Sequence, residues 1–117
     1  MKFNFSKQPN KIIFTIGRKK EWINIADIIY ITVDLTLCSV YIKQREKPYY
    51  FVKQLKEFEK ELADYGFFRA NGNTLVNGNY VKSTEKENNR AHISLETGTK
   101  ISFSRRQYSK FRKMIKH

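Results

Sequence analysis

The chain has 117 residues, which is enough for one domain and too few for two. Hydrophobic residues make up 40% of it and exclude a disordered polybasic tail, while the single Cys38 excludes an internal disulfide and a cysteine-based zinc site. Lys and Arg outnumber Asp and Glu by 23 to 11, so the net charge of +12 indicates a polyanionic partner. No apolar run reaches the roughly 18 residues of a membrane span, and no secretion signal opens the chain. We therefore expect a soluble, cytoplasmic protein without a membrane partner.

The positive charge is concentrated at the two ends of the chain. Residues 1–20 carry six basic residues and residues 104–117 another six, and neither segment contains an acid. Four of the acids crowd instead into residues 57–64. This segregation favours one anion-binding face over the alternative, a solvated basic surface that has no partner.

In the first half of the chain, β-branched and aromatic runs predict strands at residues 11–17, 21–25, 27–32, 37–44 and 49–52. Residues 18–20 are predicted to form a turn, and residues 45–48 the loop of a hairpin. We expect residues 1–10 to be a poorly ordered basic arm, followed by a single domain over residues 11–117.

The second half begins with a predicted helix over residues 54–65, because apolar residues recur at helical spacing from Leu55 and Gly66 follows as a cap. Further strands are predicted at residues 67–70, 75–76, 80–83, 91–95 and 100–103, separated by turns rich in Asn and Gly. Ser104 is predicted to cap a second helix that runs to about residue 116. The pattern predicts a mainly β fold of antiparallel strands, with one mid-chain helix and one C-terminal helix.

The sequence offers no pattern for enzymatic chemistry. The two histidines, His92 and His117, have no partners at catalytic or metal-ligand spacing, and no phosphate-binding glycine loop or nucleophile motif is present. The acids of residues 57–64 lie beside Lys56 and Lys60, which favours a solvated helix face over a metal site. We expect a protein without enzymatic activity, metal, cofactor or small-molecule substrate.

Residues 66–81 read GFFRANGNTLVNGNYV and resemble a motif of the LytTR family of bacterial DNA-binding domains, roughly FxRxHxSxxVNxxxI. The flanks agree with the family in order and spacing. They are the run DIIY at residues 27–30, the amphipathic helix at residues 55–62 and the run ISFSRR at residues 101–106. In the motif itself, Asn71 replaces the family's His and Asn73 its Ser.

The resemblance implies an elongated sandwich of several small antiparallel sheets that binds duplex DNA specifically and regulates transcription. It implies that loops, rather than a recognition helix, enter the major grooves of short direct repeats, often with a second protomer. We expect the regulator to be built from this domain alone. The residues expected at the DNA, from the resemblance and from the basic stripe that follows it on the terminal helix, are Arg69, Asn71, Asn73, Arg105, Arg106, Lys110, Lys113, Leu37, Cys38 and Ser39.

Several of these residues have a second interpretation. Asn71 and Asn73 suit the recognition of adenine in the major groove, but they equally suit a simple turn. Arg69 is either a DNA contact or a surface charge paired with Asp64, and Cys38 is either DNA-facing or a small buried filler.

Two further classes of protein remain open. One is a β domain for single-stranded nucleic acid, in which the aromatic row Tyr49, Tyr50 and Phe51 would stack on bases. The other is an interaction module for an acidic protein, which the basic surface alone would also fit.

Overall fold

The fold is taken from a computed structural model that describes residues 10–115. The expected basic arm over residues 1–10 therefore falls outside the described residues, apart from Asn10, which lies in a turn. Residue 116, the expected end of the second helix, also lies outside them.

Ten strands and two α-helices form within residues 10–115. The strands are β1 Lys11–Ile16, β2 Lys19–Asn24, β3 Ile28–Asp34, β4 Leu37–Ile42, β5 Tyr49–Val52, β6 Phe67–Asn71, β7 Thr74–Asn77, β8 Val81–Glu87, β9 Arg90–Leu95 and β10 Lys100–Phe103. The helices are α1 Leu55–Leu62 and α2 Arg105–Ile115. The predicted mainly β class, with one helix in mid-chain and one after the last strand, is confirmed.

The strands form three antiparallel sheets. The first is the hairpin β1–β2, the second has the order β5-β4-β3-β7-β6, and the third has the order β10-β9-β8. The molecule is elongated, with extents of 48 × 30 × 24 Å. The prediction of several small sheets in an elongated arrangement is thus confirmed.

Three neighbouring strands of the five-stranded sheet, β3, β7 and β6, are buried on both faces. Successive side chains of each strand point to opposite sides and so enter two different clusters. In β7, Leu75 joins a cluster formed with α1 and the β1–β2 hairpin, and its neighbour Val76 joins a second cluster formed with the three-stranded sheet and α2. Phe67 and Phe68 of β6 divide between the same two clusters. The central sheet is therefore the middle layer that fixes the positions of the loops at its ends.

Local differences from the predicted elements have simple causes. Lys19 and Lys20 belong to β2 rather than to a turn, because Gly17, with φ of 61°, already completes the reversal. The helix α1 ends at Leu62, and a 3-10 turn carries the chain from there to the left-handed Gly66. Strand β8 extends to Glu87, farther than predicted. The prediction stopped short because the outer half of the strand is polar and shows no alternation of apolar residues.

Gly78 is required by close packing rather than by a positive φ. Its N–H donates to the carbonyl oxygen of Gly66 at 2.9 Å, and a Cβ atom at this position would lie 3.0 Å from that oxygen. Of the predicted turns rich in Asn and Gly, positive φ occurs at Asn88, Asn89 and Gly98, whereas Gly72 and Gly78 do not adopt it.

Candidate nucleic-acid interface

Three chain reversals lie side by side at one end of the five-stranded sheet. They are the β3–β4 turn, the β6–β7 turn and the junction between β10 and α2. The backbone N–H of Val33 donates to the Asn73 carbonyl at 2.9 Å and joins the first to the second, and that of Ser104 donates to the Ala70 carbonyl at 2.9 Å and joins the second to the third. We call this surface the turn cluster, which comprises residues 34–37, 71–73 and 102–106.

Asn71 holds the turn cluster together with both ends of its amide. Its Oδ1 accepts from the backbone N–H of Asn73 at 2.8 Å, and its Nδ2 donates to the Ser102 carbonyl at 2.7 Å. One bond at each end of the amide fixes the orientation of the side chain against the protein. Of the two roles that the sequence left open for Asn71, the structure supports the turn.

Asn73 differs from Asn71, because its side chain is exposed at the tip of the β6–β7 turn. Its backbone is fixed on both sides, by the N–H bond to Asn71 and by the carbonyl bond to Val33. Open space surrounds the neighbouring Gly72, where an added Cβ atom would meet nothing within 4 Å. The turn therefore presents a free carboxamide on a rigid and narrow backbone.

Arg69 is hydrogen-bonded to two other parts of the protein. Its Nε lies 3.1 Å from Oε1 of Glu59 on α1, and its Nη1 donates to the Gly72 carbonyl at 2.8 Å. The side chain is 18% exposed. Its carboxylate partner is Glu59 and not Asp64, so Arg69 ties α1 to the β6–β7 turn. Its contact with DNA stays a prediction.

The β3–β4 segment contributes fewer DNA-facing groups than the sequence indicates. Cys38 is fully buried and its thiol donates to the Lys53 carbonyl, with an Sγ–O distance of 3.0 Å. Of the two interpretations that the sequence left open, the structure supports the small buried filler. Burial also raises the pKa of this thiol. Ser39 is half-buried, whereas Leu37 is exposed at the start of β4.

Leu35 was missed by the sequence analysis, although it is 95% exposed. It occupies the tip of the β3–β4 turn with a φ of 57°, a conformation that is uncommon for a residue other than glycine. A leucine between Asp34 and Thr36 at a hairpin tip is the signal that could have found it, since such positions are normally polar.

The third part of the turn cluster is the N-terminal end of α2. Ser104 caps the helix as predicted, because its Oγ accepts from the backbone N–H of Gln107 at 3.2 Å. Arg105 and Arg106 follow in the first turn, where the helix dipole favours an anion. Lys110 and Lys113 lie four and seven residues after Arg106, and all four cations are exposed.

The cations of α2 have no acidic partners within the part of the chain that the structure describes. The ion pairs found there are Lys53 with Glu61 and Arg69 with Glu59, both away from α2. The basic helix therefore presents its charge to solvent, where a polyanion can bind.

The aromatic row that would serve a single-stranded nucleic acid is mostly buried. Tyr49 is buried and donates to a carboxylate oxygen of Glu21, and Phe51 packs edge-on against Phe14 with ring centroids 4.7 Å apart. Tyr50 alone of the three is exposed, at 59%. One tyrosine is a poor platform for successive stacked bases.

Neither helix in residues 10–115 is long and apolar enough to cross a membrane. Over the same residues, no group of three or more His, Cys, Asp and Glu side chains is placed to hold a metal ion.

The chain is similar to known DNA-binding domains. The family model of the LytTr DNA-binding domain matches residues 18–116, which confirms the resemblance found in the sequence. Among solved structures, the fold is similar to the LytTr DNA-binding domain of a Bacillus cereus protein described as a methyl-accepting/DNA response regulator. The TM-score is 0.75 at 18% sequence identity, and the match covers 92% of this chain and 98% of that one. A search of curated proteins returns no match.

Proposed function

The chain belongs to the LytTR family of DNA-binding domains, and from this premise we propose that it regulates bacterial transcription by binding duplex DNA at specific sequences. The observation that carries the proposal is the turn cluster, in which hydrogen bonds hold three reversals beside an unpaired basic helix terminus. Such a surface combines rigid protruding turns with a phosphate-attracting end.

The side chains of the turn cluster divide into two chemical groups. Asn73 and Arg106 can read base edges, since an amide suits adenine and a guanidinium suits guanine in the major groove. Leu35 and Leu37 offer apolar surface, which suits the methyl group of thymine. Phosphate contacts from Arg105, Lys110 and Lys113 would add affinity without adding sequence information.

The elongated shape suits binding along a duplex, and the proposal includes two short direct repeats that are occupied by two protomers. Such a pair covers more base pairs than a single protomer and is correspondingly more selective. Binding to bacterial DNA would require a cytoplasmic location.

The test is to select bound duplexes from a random pool with the full chain. We expect enrichment of a short motif that occurs twice in the same orientation, at a fixed spacing. A pool that stays random after repeated rounds would contradict specific binding, and enrichment of a single motif would remove the direct-repeat part of the proposal.

Repeating the selection with a matched pair of variants tests whether the turn cluster determines the base preference. Arg106→Gln removes one charge from it, whereas Lys100→Gln removes one charge from the opposite end of β10. We expect the first variant to lose preference at a base position and the second to keep the wild-type motif. Equal behaviour of the two would show that net charge, and not the cluster, determines binding.

A further inference from the structure

The helix α2 carries two rows of polar residues with the same spacing. Arg106, Lys110 and Lys113 form one row, in which residues follow at i, i+4 and i+7 and so share a face. Starting one residue earlier, Arg105, Ser109 and Arg112 form a second row, rotated from the first by about 100°. The first row begins in the turn cluster, and the second lies against a cleft that also takes in Lys113 of the first row. Of the cations in this cleft, the proposed function has used Arg105 and Lys113, and it has not used Lys86 or Arg112.

The cleft lies between α2 and the β8–β9 hairpin and has a volume of about 610 Å³. Phe103 and Tyr108 contribute its aromatic lining. The charged residues that line it are all cations: Lys86, Arg105, Arg112 and Lys113. Asn89 adds an amide from the hairpin turn, so the lining has many donors and no carboxylate.

Two of these four cations, Lys86 and Arg112, lie close to one aromatic ring. Nζ of Lys86 lies 5.8 Å from the ring centroid of Tyr108, and Cζ of Arg112 lies 5.9 Å from the same centroid. Neither cation is paired with an acid within the described residues. Because like charges in a concave surface repel one another and focus a positive potential, an anion that enters the cleft relieves that repulsion.

The position of the cleft indicates which anion it holds. It begins at Arg105, directly beside Arg106 of the turn cluster, and the hairpin turn that borders it lies at the end of the three-stranded sheet where β10 leads into α2. From Arg105 to Arg112 the helix rises by about 10 Å, which is the length of roughly three base-pair steps of B-DNA.

We infer that this cleft clamps the sugar-phosphate backbone that flanks the bases contacted by the turn cluster. The inference rests on the proposed function and adds to it a second contact region, which includes the β8–β9 hairpin and extends the footprint on DNA. Because its donors meet phosphate oxygens, this contact is independent of sequence. Arg105 then belongs with the backbone contacts, while Arg106 remains with the bases.

The test compares two duplexes that carry the same selected site. The short duplex ends at the outermost base pair whose identity is selected, and the long duplex continues for about five further base pairs on each side, or roughly 17 Å. The variant is Lys86→Gln/Arg112→Gln, which removes two exposed cations from the cleft. Its matched control is Lys43→Gln/Lys100→Gln, which removes two exposed cations, one in the turn after β4 and one at the start of β10, both at the far ends of these strands from the turn cluster.

We expect the cleft variant to bind the long duplex roughly 10- to 50-fold more weakly than the wild type at about 0.15 M salt, with a salt slope lower by about 1.8 for two lost phosphates. The affinity of the cleft variant for the short duplex, and its base preference, should stay within about twofold of the wild type. The control variant should stay within about twofold of the wild type on both duplexes. An unchanged melting temperature would exclude a folding defect.

Three outcomes would overturn the inference. They are an unchanged affinity of the cleft variant for the long duplex, an equal loss on both duplexes, and an equal loss in the control. In each of them the wild type still binds its selected site, so the proposed function stands. A wild type that binds no duplex at all would instead refute the proposed function, and the clamp with it.

Discussion

Asn71 and Asn73 are the same amino acid in the same turn, but their side chains have different surroundings. The amide of Asn71 is hydrogen-bonded to the Asn73 N–H and to the Ser102 carbonyl, whereas the side chain of Asn73 is exposed. One of them therefore builds the turn and the other can meet a ligand. Their spacing in the sequence could not separate these roles, because the Ser102 carbonyl comes from a strand 31 residues away.

Alanine substitution should separate the two asparagines by two different measurements. Asn71→Ala removes two hydrogen bonds and should lower the free energy of unfolding in urea by about 1–3 kcal/mol. Asn73→Ala should change that free energy by less than about 0.5 kcal/mol. In site selection, Asn73→Ala should lose preference for adenine at one position. Retention of every wild-type preference in Asn73→Ala would move the readout elsewhere, for example to the β3–β4 turn.

Cys38 allows a direct test of its burial. Because the thiol is fully buried and its pKa is raised by that burial, little thiolate is exposed at neutral pH. We expect the native protein to resist alkylation by N-ethylmaleimide at pH 7 and to react fully after unfolding in urea. Binding of DNA should leave the native rate unchanged. Rapid alkylation of the native chain, slowed by DNA, would restore Cys38 to the interface.

At the scale of elements, α2 has a capped N-terminal end and carries exposed cations along its length. Substitutions at its N-terminal end should change base preference, and those farther along should change overall affinity. Arg106→Ala should cost about 1–3 kcal/mol at one base position, as expected for a bidentate contact with guanine. Lys110→Ala should weaken binding on all sequences alike and lower the salt slope by about 1. Titration of both variants against matched and mismatched duplexes measures this, and identical profiles would refute the division.

The elements that could be predicted are those whose burial shows in the local pattern. Strand β3 is rich in β-branched residues, and α1 repeats apolar residues at helical spacing, so both follow from short-range patterns. The outer part of β8 is polar and depends on pairing with β9, which no local pattern reveals. The same limit explains Arg69, whose partner Glu59 is brought beside it by the packing of α1 on β6.

The candidate site was predictable in its location and not in its individual side chains. The family motif placed all three parts of the turn cluster, because a motif carries the geometry of the fold with it. It also assigned Cys38, Arg69 and Asn71 to DNA, and the structure turns these three toward the protein interior or toward neighbouring turns. The exposure of these three side chains depends on long-range packing, whereas the exposed Leu35 could have been found from its position between Asp34 and Thr36 at a hairpin tip.

At the scale of the whole molecule, the charge balance predicts a strong response to salt. The net charge is +12, and the two ion pairs in the described residues engage Lys53 and Arg69 and leave the cations of α2 unpaired. With roughly 5–8 phosphate contacts, affinity for duplex DNA should fall about 10³-fold or more between roughly 50 and 200 mM salt. Fluorescence anisotropy with a labelled duplex measures this slope. A flat response would argue against DNA as the partner.

The strands β3, β7 and β6, which are buried on both faces, also govern how the molecule opens. Neither hydrophobic cluster can separate fully from the sheet without exposing residues such as Leu75 or Val76, whereas the β1–β2 hairpin covers one face only. Amide protons of β3 and β7 should therefore exchange with deuterium at the slowest rate, through global unfolding, and those of β1 and β2 earlier, through a local opening. The turns that we propose to meet DNA are thus anchored in the last part of the protein to unfold, so this surface would already be ordered before DNA binds.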